Sequence, residues 1–340
     1  MKYICSIIII QITVVVLFAG IAFAERNPKS LCTILEKAEI VVSGEIIKIT
    51  GSDTIRGKHT ATIKVSEILK GSLSGHEINF SWVTIDIVTS EQEPGRDIRI
   101  GTKGIWILGK EGNRDYLSMY FYTGYQSMEK IDDIKCLLTM GNERKKETPG
   151  SDLMLKIVNE YSKIPGLDKM YGYGKLDNIK YETLSFAIDS LGCLKGNDIA
   201  IAKPVLEKKY FSIRDRYLKR KILNTLVKFT EKGKKDESYK IFMGAFNSSE
   251  YFFPGIKGLE RILGKKEVLL LLFDKLQNTS AGSKHVGSIV CAIDNYLWTM
   301  EGCCPPLKGY SKNPKRAWIE WWDKNKDRVI AETKKQWWQF

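Results

Sequence analysis

The stretch Ala38-Glu-Ile-Val-Val-Ser-Gly-Glu-Ile-Ile-Lys-Ile49 decides the fold of the first half of the chain, together with three runs that follow it: His59-Thr-Ala-Thr-Ile-Lys-Val-Ser-Glu-Ile-Leu-Lys-Gly71, Glu77-Ile-Asn-Phe-Ser-Trp-Val83 and Gly104-Ile-Trp-Ile-Leu-Gly-Lys110. Alternating or β-branched runs broken by Gly, Ser and Asp are strands joined by short turns. Strands are predicted over Glu39 to Thr50, Thr60 to Leu69, Glu77 to Ile85, Gly104 to Gly109 and Tyr116 to Tyr122. Five short strands in about a hundred residues suit a small closed or partly open barrel better than a sandwich, which needs about seven.

Working outward toward the start, Lys2 precedes an apolar run from Ile4 to Phe18 that ends in Ala22-Phe23-Ala24. A positive start, an apolar middle and a small-x-small end read as a secretory signal over residues 1–24, with cleavage after Ala24. The alternative is an anchor that is retained. Cys32 lies too far beyond Ala24 to be lipidated there, so the expected product is exported, periplasmic or secreted, and not integral to the membrane. The first mature domain is then 25–142.

Beyond it, Gly141-Asn-Glu-Arg-Lys-Lys-Glu-Thr-Pro-Gly150 has the polarity and breakers of a connecting segment, placed at 143–151. From 152 to 340 the hydrophobic period changes to three-and-four spacing. Helices are predicted over Leu153 to Tyr161, Tyr181 to Leu191, Ala200 to Tyr210, Tyr217 to Phe229, Tyr239 to Phe246, Ile256 to Leu263, Val268 to Leu276 and Val286 to Leu297. Similar segments, such as Ala187-Ile-Asp-Ser-Leu-Gly192 and Ala292-Ile-Asp-Asn-Tyr-Leu297, recur in steps of roughly 35 residues, two helices to a step, as in an α-solenoid. Asn313-Pro-Lys-Arg-Ala-Trp318-Ile-Glu-Trp-Trp322 opens a last helix, with Asn313-Pro314 as cap and first turn. Its indoles read as closing the solenoid core, with an aromatic ligand platform as the alternative.

Two resemblances follow from these residues. Ala38-Glu-Ile-Val-Val-Ser-Gly-Glu-Ile46, Val65-Ser-Glu-Ile-Leu-Lys-Gly71 and Gly101-Thr-Lys-Gly-Ile-Trp-Ile-Leu108 resemble the bacterial domains similar to the inhibitory module of tissue inhibitors of metalloproteinases, which implies an OB-type barrel of five strands. In those inhibitors a terminal Cys chelates the protease zinc. Here Cys32 lies inside the predicted start at Glu25, so that mechanism is not implied. The helical half looks like degenerate HEAT-type repeats, and its last helix resembles that of exported bacterial HEAT-like proteins.

Lys and Arg number 53 against 40 Asp and Glu, a net charge of +13, and hydrophobic residues make up 43% of the chain, enough for packed cores. In an oxidising compartment Cys32 and Cys136, which flank the barrel, are the expected disulfide, and Cys291 is expected to pair with Cys303 or Cys304. His59, His76 and His285 are widely spaced and show no metal-ligand pattern, so neither a metal nor a cofactor is expected. No Gly-x-Ser-x-Gly elbow is present, and nothing local supports a pairing of Cys193 with His285. Phe80, Trp82, Trp106, Tyr120 and Tyr122 read as barrel core, with nucleic-acid stacking as the alternative. The expected role is a non-enzymatic protein interaction or scaffold. The partner is a protein with an acidic face, membrane-surface contact is the alternative, and nucleic acid is disfavoured. The residues expected to meet the partner are Arg214, Arg216, Lys219, Arg220 and Lys221, with Trp337 and Trp338. An exported hydrolase with an unrecognised site and, below it, a protease inhibitor are the alternative readings.

Overall fold

The computed structural model describes residues 30–51, 58–83, 98–110, 117–119, 124–165, 179–298 and 314–335. The signal segment, Trp337 and Trp338, and Cys303 and Cys304 lie outside the described residues, as do the predicted strand ends at 84–85 and 120–122. The chain divides into two compact units, residues 1–146 with 173–186, and residues 147–172 with 187–340. A β region is thus followed by a helical one.

Among its described residues the first unit holds six strands in one sheet: β1 (Ile40–Gly51), β2 (Lys58–Lys70), β3 (Glu77–Val83), β4 (Lys103–Lys110), β5 (Leu117–Met119) and β6 (Tyr125–Gln126). The two-residue β6 is too short to carry a periodic signal and was not expected. The spatial order is β1-β2-β3-β5-β4-β6, and β4 also pairs with β1. All pairings are antiparallel except that of β3 with β5, where Phe80 faces Leu117.

Alternation along each strand sends Ile40, Val42 and Ile46 of β1, Ala61 and Ile63 of β2, Ile78 and Phe80 of β3, and Trp106 and Leu108 of β4 into one buried cluster. The intervening Val41, Ile105 and Ile107 are buried as well. Helix α1 (Leu31–Lys37) packs on β4, which explains why Ile105-Trp-Ile-Leu108 is apolar without interruption. Register shifts at Val41/Val42, Ser43/Gly44 and Ile46/Lys48 bend β1 strongly. At Gly44 a β-carbon would lie 2.5 Å from the Lys64 carbonyl oxygen and from Ile63 Cγ2, so only glycine fits. The Trp106 indole nitrogen donates to the Gly44 carbonyl at 3.3 Å.

Helix α2 (Ile131–Arg144) follows a 3-10 turn and packs on α1 and on β2. It was not predicted, and the residues expected to open the connecting segment, Gly141 to Arg144, are its last turn. Residues up to Phe186 of α4 (Ile179–Leu191) also belong to this unit.

The second unit holds α3 (Asp152–Tyr161), the remainder of α4, α5 (Asn197–Ser212), α6 (Arg216–Phe229), α7 (Glu237–Asn247), α8 (Phe252–Leu263), α9 (Lys265–Asn278), α10 (His285–Trp298) and α11 (Pro314–Lys335). Each predicted helix is present, with ends extended by a few residues. Asp215 accepts from Leu218 N at 2.7 Å and caps α6, and Asp236 accepts from Ser238 N at 3.0 Å and caps α7. Helices next to each other in sequence pack together, as α5 with α6, α7 with α8 and α9 with α10; so do next-but-one helices, as α5 with α7, α6 with α8 and α9 with α11.

Polar contacts fix some of these pairs. Lys203 of α5 forms an ion pair with Asp236, and Ser238 Oγ donates to Glu207. Burial works to raise the Asp236 carboxyl, but the Lys203 ammonium and the amides of Ser238 and Tyr239 outweigh it and hold the group below its ordinary value. Trp318 and Trp322 are buried, and Trp322 stacks on Phe273 of α9 at 3.9 Å between centroids. These indoles are core contacts of α11.

Candidate functional site

Two places in the described residues bring polar and reactive groups together. In the first unit, Cys32, Leu35, Glu36, Lys70, Leu137 and Phe186 are among the residues around a hollow of about 20 Å³, room for a single water. Lys70 Nζ donates to the carbonyls of Leu35 at 2.7 Å and Glu36 at 2.9 Å, closing the C-terminal end of α1. Burial, with the charge of Lys145 adding to it, holds this ammonium below the usual lysine range. The other end of α1 is closed by Glu182 of α4, whose Oε2 accepts from Leu31 N at 2.8 Å and whose carboxylate also accepts from the Cys32 amide. Cys32 is thus buried inside a helix whose two ends are both capped, and the hollow beside it is too small for a substrate.

The second place is a surface of the second unit where α5 ends and α6 begins. From Lys208 to Lys221 the sequence carries seven cations and one acid, Asp215. Asp215 is buried and occupied in capping α6. The cations are held in defined positions. The Lys219 ammonium lies 5.2 Å from the centre of the Tyr210 ring, and that of Lys221 lies 4.9 Å from the Tyr217 ring. Lys221 also forms an ion pair with Asp189 of α4, and Arg216 forms one with Glu250. Arg220 reaches the Glu250 carbonyl at 3.5 Å. Arg214 is exposed in the connection between the two helices.

Lys209 donates to Ser162 Oγ at 2.6 Å, beyond the end of α3. Its ammonium is held below the usual lysine range by burial and by the neighbouring charges of Lys163 and Lys208. Large apolar side chains accompany these cations: Phe211 is 63% exposed and Tyr217 39%, and Phe253, on α8, is an exposed ring as well. Exposed large hydrophobics elsewhere, such as Ile100, are aliphatic; exposed rings beside cations are what single the region out.

The five basic residues expected to meet a partner, Arg214, Arg216, Lys219, Arg220 and Lys221, all lie in this stretch by sequence, and Arg216, Arg220 and Lys221 engage carboxylates or backbone of their own unit. Sequence reading missed the aromatics. Tyr210, Phe211 and Tyr217 all lie within the basic run, a pattern that was legible; Phe253 is on α8, which packs on α6.

The remaining expectations are placed as follows. Phe80 and Trp106 are buried at 1% and 0% exposure, and Phe80, Trp106 and Tyr125 form an aromatic core cluster, so they present no face to a base. His59 is on β2, His76 in the turn after it and His285 at the start of α10. His285 Nδ1 is buried with no hydrogen-bond partner among the described residues, and its ring meets the edge of Phe252, so no Cys193–His285 pair is formed through that nitrogen. Among the described residues no group of three or more His, Cys, Asp or Glu is arranged to hold a metal ion. The described cysteines, Cys32, Cys136, Cys193 and Cys291, form no disulfide with one another in this structure. Among the described residues no helix is long and apolar enough to cross a membrane. Comparison with known protein families and with curated proteins finds no match for the chain.

Proposed function

We propose that the chain is an exported protein-binding scaffold, an OB-type barrel followed by a HEAT-like solenoid, which holds a partner on the helical half and performs no chemistry of its own. The barrel reading is supported by the strand order, which leaves β1 through β2, β3 and β5 and returns to it through β4, and by the bulges that curl β1. The solenoid reading is supported by contacts between adjacent and next-but-one helices, the pattern that stacked helix pairs produce. Export rests on the sequence of residues 1–24.

The observation that carries the function is the surface at Arg214 to Lys221, where ordered cations and exposed aromatic rings share one patch. Aromatic and arginine side chains are the residues that most often dominate binding energy at protein interfaces. A photo-crosslinking residue placed at Arg214 in the full chain, expressed in its own cells, is expected to give a discrete covalent adduct with another protein. The same residue at Lys135 of α2 is not. The exported product is expected to begin at Glu25 by N-terminal sequencing. Equal labelling from both positions, or none from either, would remove the reading.

A further inference from the structure

We propose that the surface between the end of α5 and the start of α8 recognises an acidic segment of its partner that carries a large apolar side chain among its carboxylates. This deepens the binding reading above and rests on it.

Charge gives the first half of the argument. Among the described residues Lys221 pairs with Asp189 and Arg216 with Glu250, while Asp215 is occupied in capping α6, so the seven cations from Lys208 to Lys221 leave a positive excess at the surface. Lys163 adds to it from the turn after α3. The patch lacks the balance of signs that a solvated helix face usually has, and an anionic partner supplies it.

Geometry gives the second half. The cationic heads are fixed: Lys219 over Tyr210, Lys221 over Tyr217, and Arg216 and Arg220 at Glu250. Groups already ordered lose little freedom when a ligand binds, and a guanidinium held in place matches a discrete carboxylate through two parallel hydrogen bonds. A phosphate accepts the same guanidinium fork, so it is the exposed ring among the cations that favours a protein partner over a bilayer or a nucleic acid backbone. Phe211 supplies what charge cannot. Exposed ion pairs contribute weakly by themselves, so affinity requires an apolar group buried among them; the open Phe211 ring lies beside Tyr210 within the run of cations, and Phe253 is an exposed ring on α8, which packs on α6. Tyr251, just before α8, has its hydroxyl pushed up chiefly by burial, and α8 packs on α6.

The test uses the full mature chain and fluorescence anisotropy with three labelled 16-residue probes. One is built of Asp and Glu with two Phe, one has Lys in place of every acid, and one has Ser in place of Phe. The acidic peptide with Phe is expected to bind, the Lys peptide not to bind, and the Ser peptide to bind at least tenfold more weakly. Raising salt from 50 to 300 mM is expected to weaken the first by at least tenfold. Arg214→Glu and Phe211→Ser, both at exposed positions, are each expected to weaken it by about tenfold with an unchanged melting temperature.

Equal binding of the acidic peptide by wild type and by both folded variants would overturn the proposal. So would a preference for vesicles containing 30% phosphatidylglycerol, or for single-stranded DNA, that the same two substitutions abolish. In those cases crosslinking from Arg214 would still stand, and only the chemistry of the partner would be wrong. Failure of every probe together with loss of that crosslink would end both readings.

Discussion

Glu182 is the residue whose placement makes the sharpest stability claim. Its carboxylate is raised above its ordinary value by burial, and the amides of Leu31 and Cys32, which favour the charged form, offset only part of that. A carboxyl raised on folding binds its proton more tightly in the folded state than in the unfolded one. Its contribution is therefore fully present below the unfolded value and is lost as pH rises through the raised one. Replacement by Gln keeps an oxygen for the two amides and removes the charge. Denaturant melts of wild type and Glu182→Gln are expected to diverge with pH: the variant gains relative to wild type between pH 4 and pH 7.5. Glu182→Ala leaves two buried donors without a partner and is expected to cost about 1–3 kcal/mol at both pH values. A constant difference between wild type and the Gln variant across that range would contradict the assignment. Neither end of this interaction was legible beforehand, because Leu31 and Glu182 are 151 residues apart.

At the scale of elements, periodicity identified the long segments well and the short or interrupted ones poorly. Each predicted helix of the second half is present, since apolar residues at three-and-four spacing persist over two to four turns in each. Helix α2 carried the same signal in Ile131, Ile134, Leu137 and Met140, with Asp132 and Asp133 in its first turn, but Gly141 and Asn142 suggested a break that the helix absorbs. In α11 the spacing of Trp318 and Trp322 was visible in the sequence, whereas the stack on Phe273 was not. Lys315 donates to the carbonyls of Gln277 and Thr279 and closes the end of α9 against the same helix. Trp322→Ala is expected to cost about 3–5 kcal/mol, the usual loss for a large aromatic taken from a packed core. Limited proteolysis is expected to release α11 from that variant before the remaining helices are cut. Trp321, half-buried beside it, is expected to tolerate Ala with a far smaller loss, and equal losses would show that burial of Trp322 is not what docks the helix.

For the whole molecule, Cys32 and Cys136 join sequence to topology. Cys32 on α1 and Cys136 on α2 stand on helices that pack together, and the chain between them contains the entire sheet. In an oxidising compartment the two are expected to be bridged, closing a loop of about 100 residues for a gain of about 2–4 kcal/mol. Peptide mapping without reductant of protein refolded under oxidising conditions is expected to find them linked, and reductant is expected to lower the melting temperature; two alkylated thiols in that protein would refute this. What the sequence by itself determined is five of the strands and the helices of the second half, the succession of a β region and a helical one, and the concentration of cations at Lys208 to Lys221. Each of these is written within a few neighbouring residues, where side-chain period and composition act directly. Only the tertiary structure decided that β4 pairs with β1, that β3 runs parallel to β5, that Glu182 caps α1, and that α8 packs on α6. Those contacts join groups far apart along the chain, and which groups meet depends on how whole faces bury one another, a property no local stretch contains.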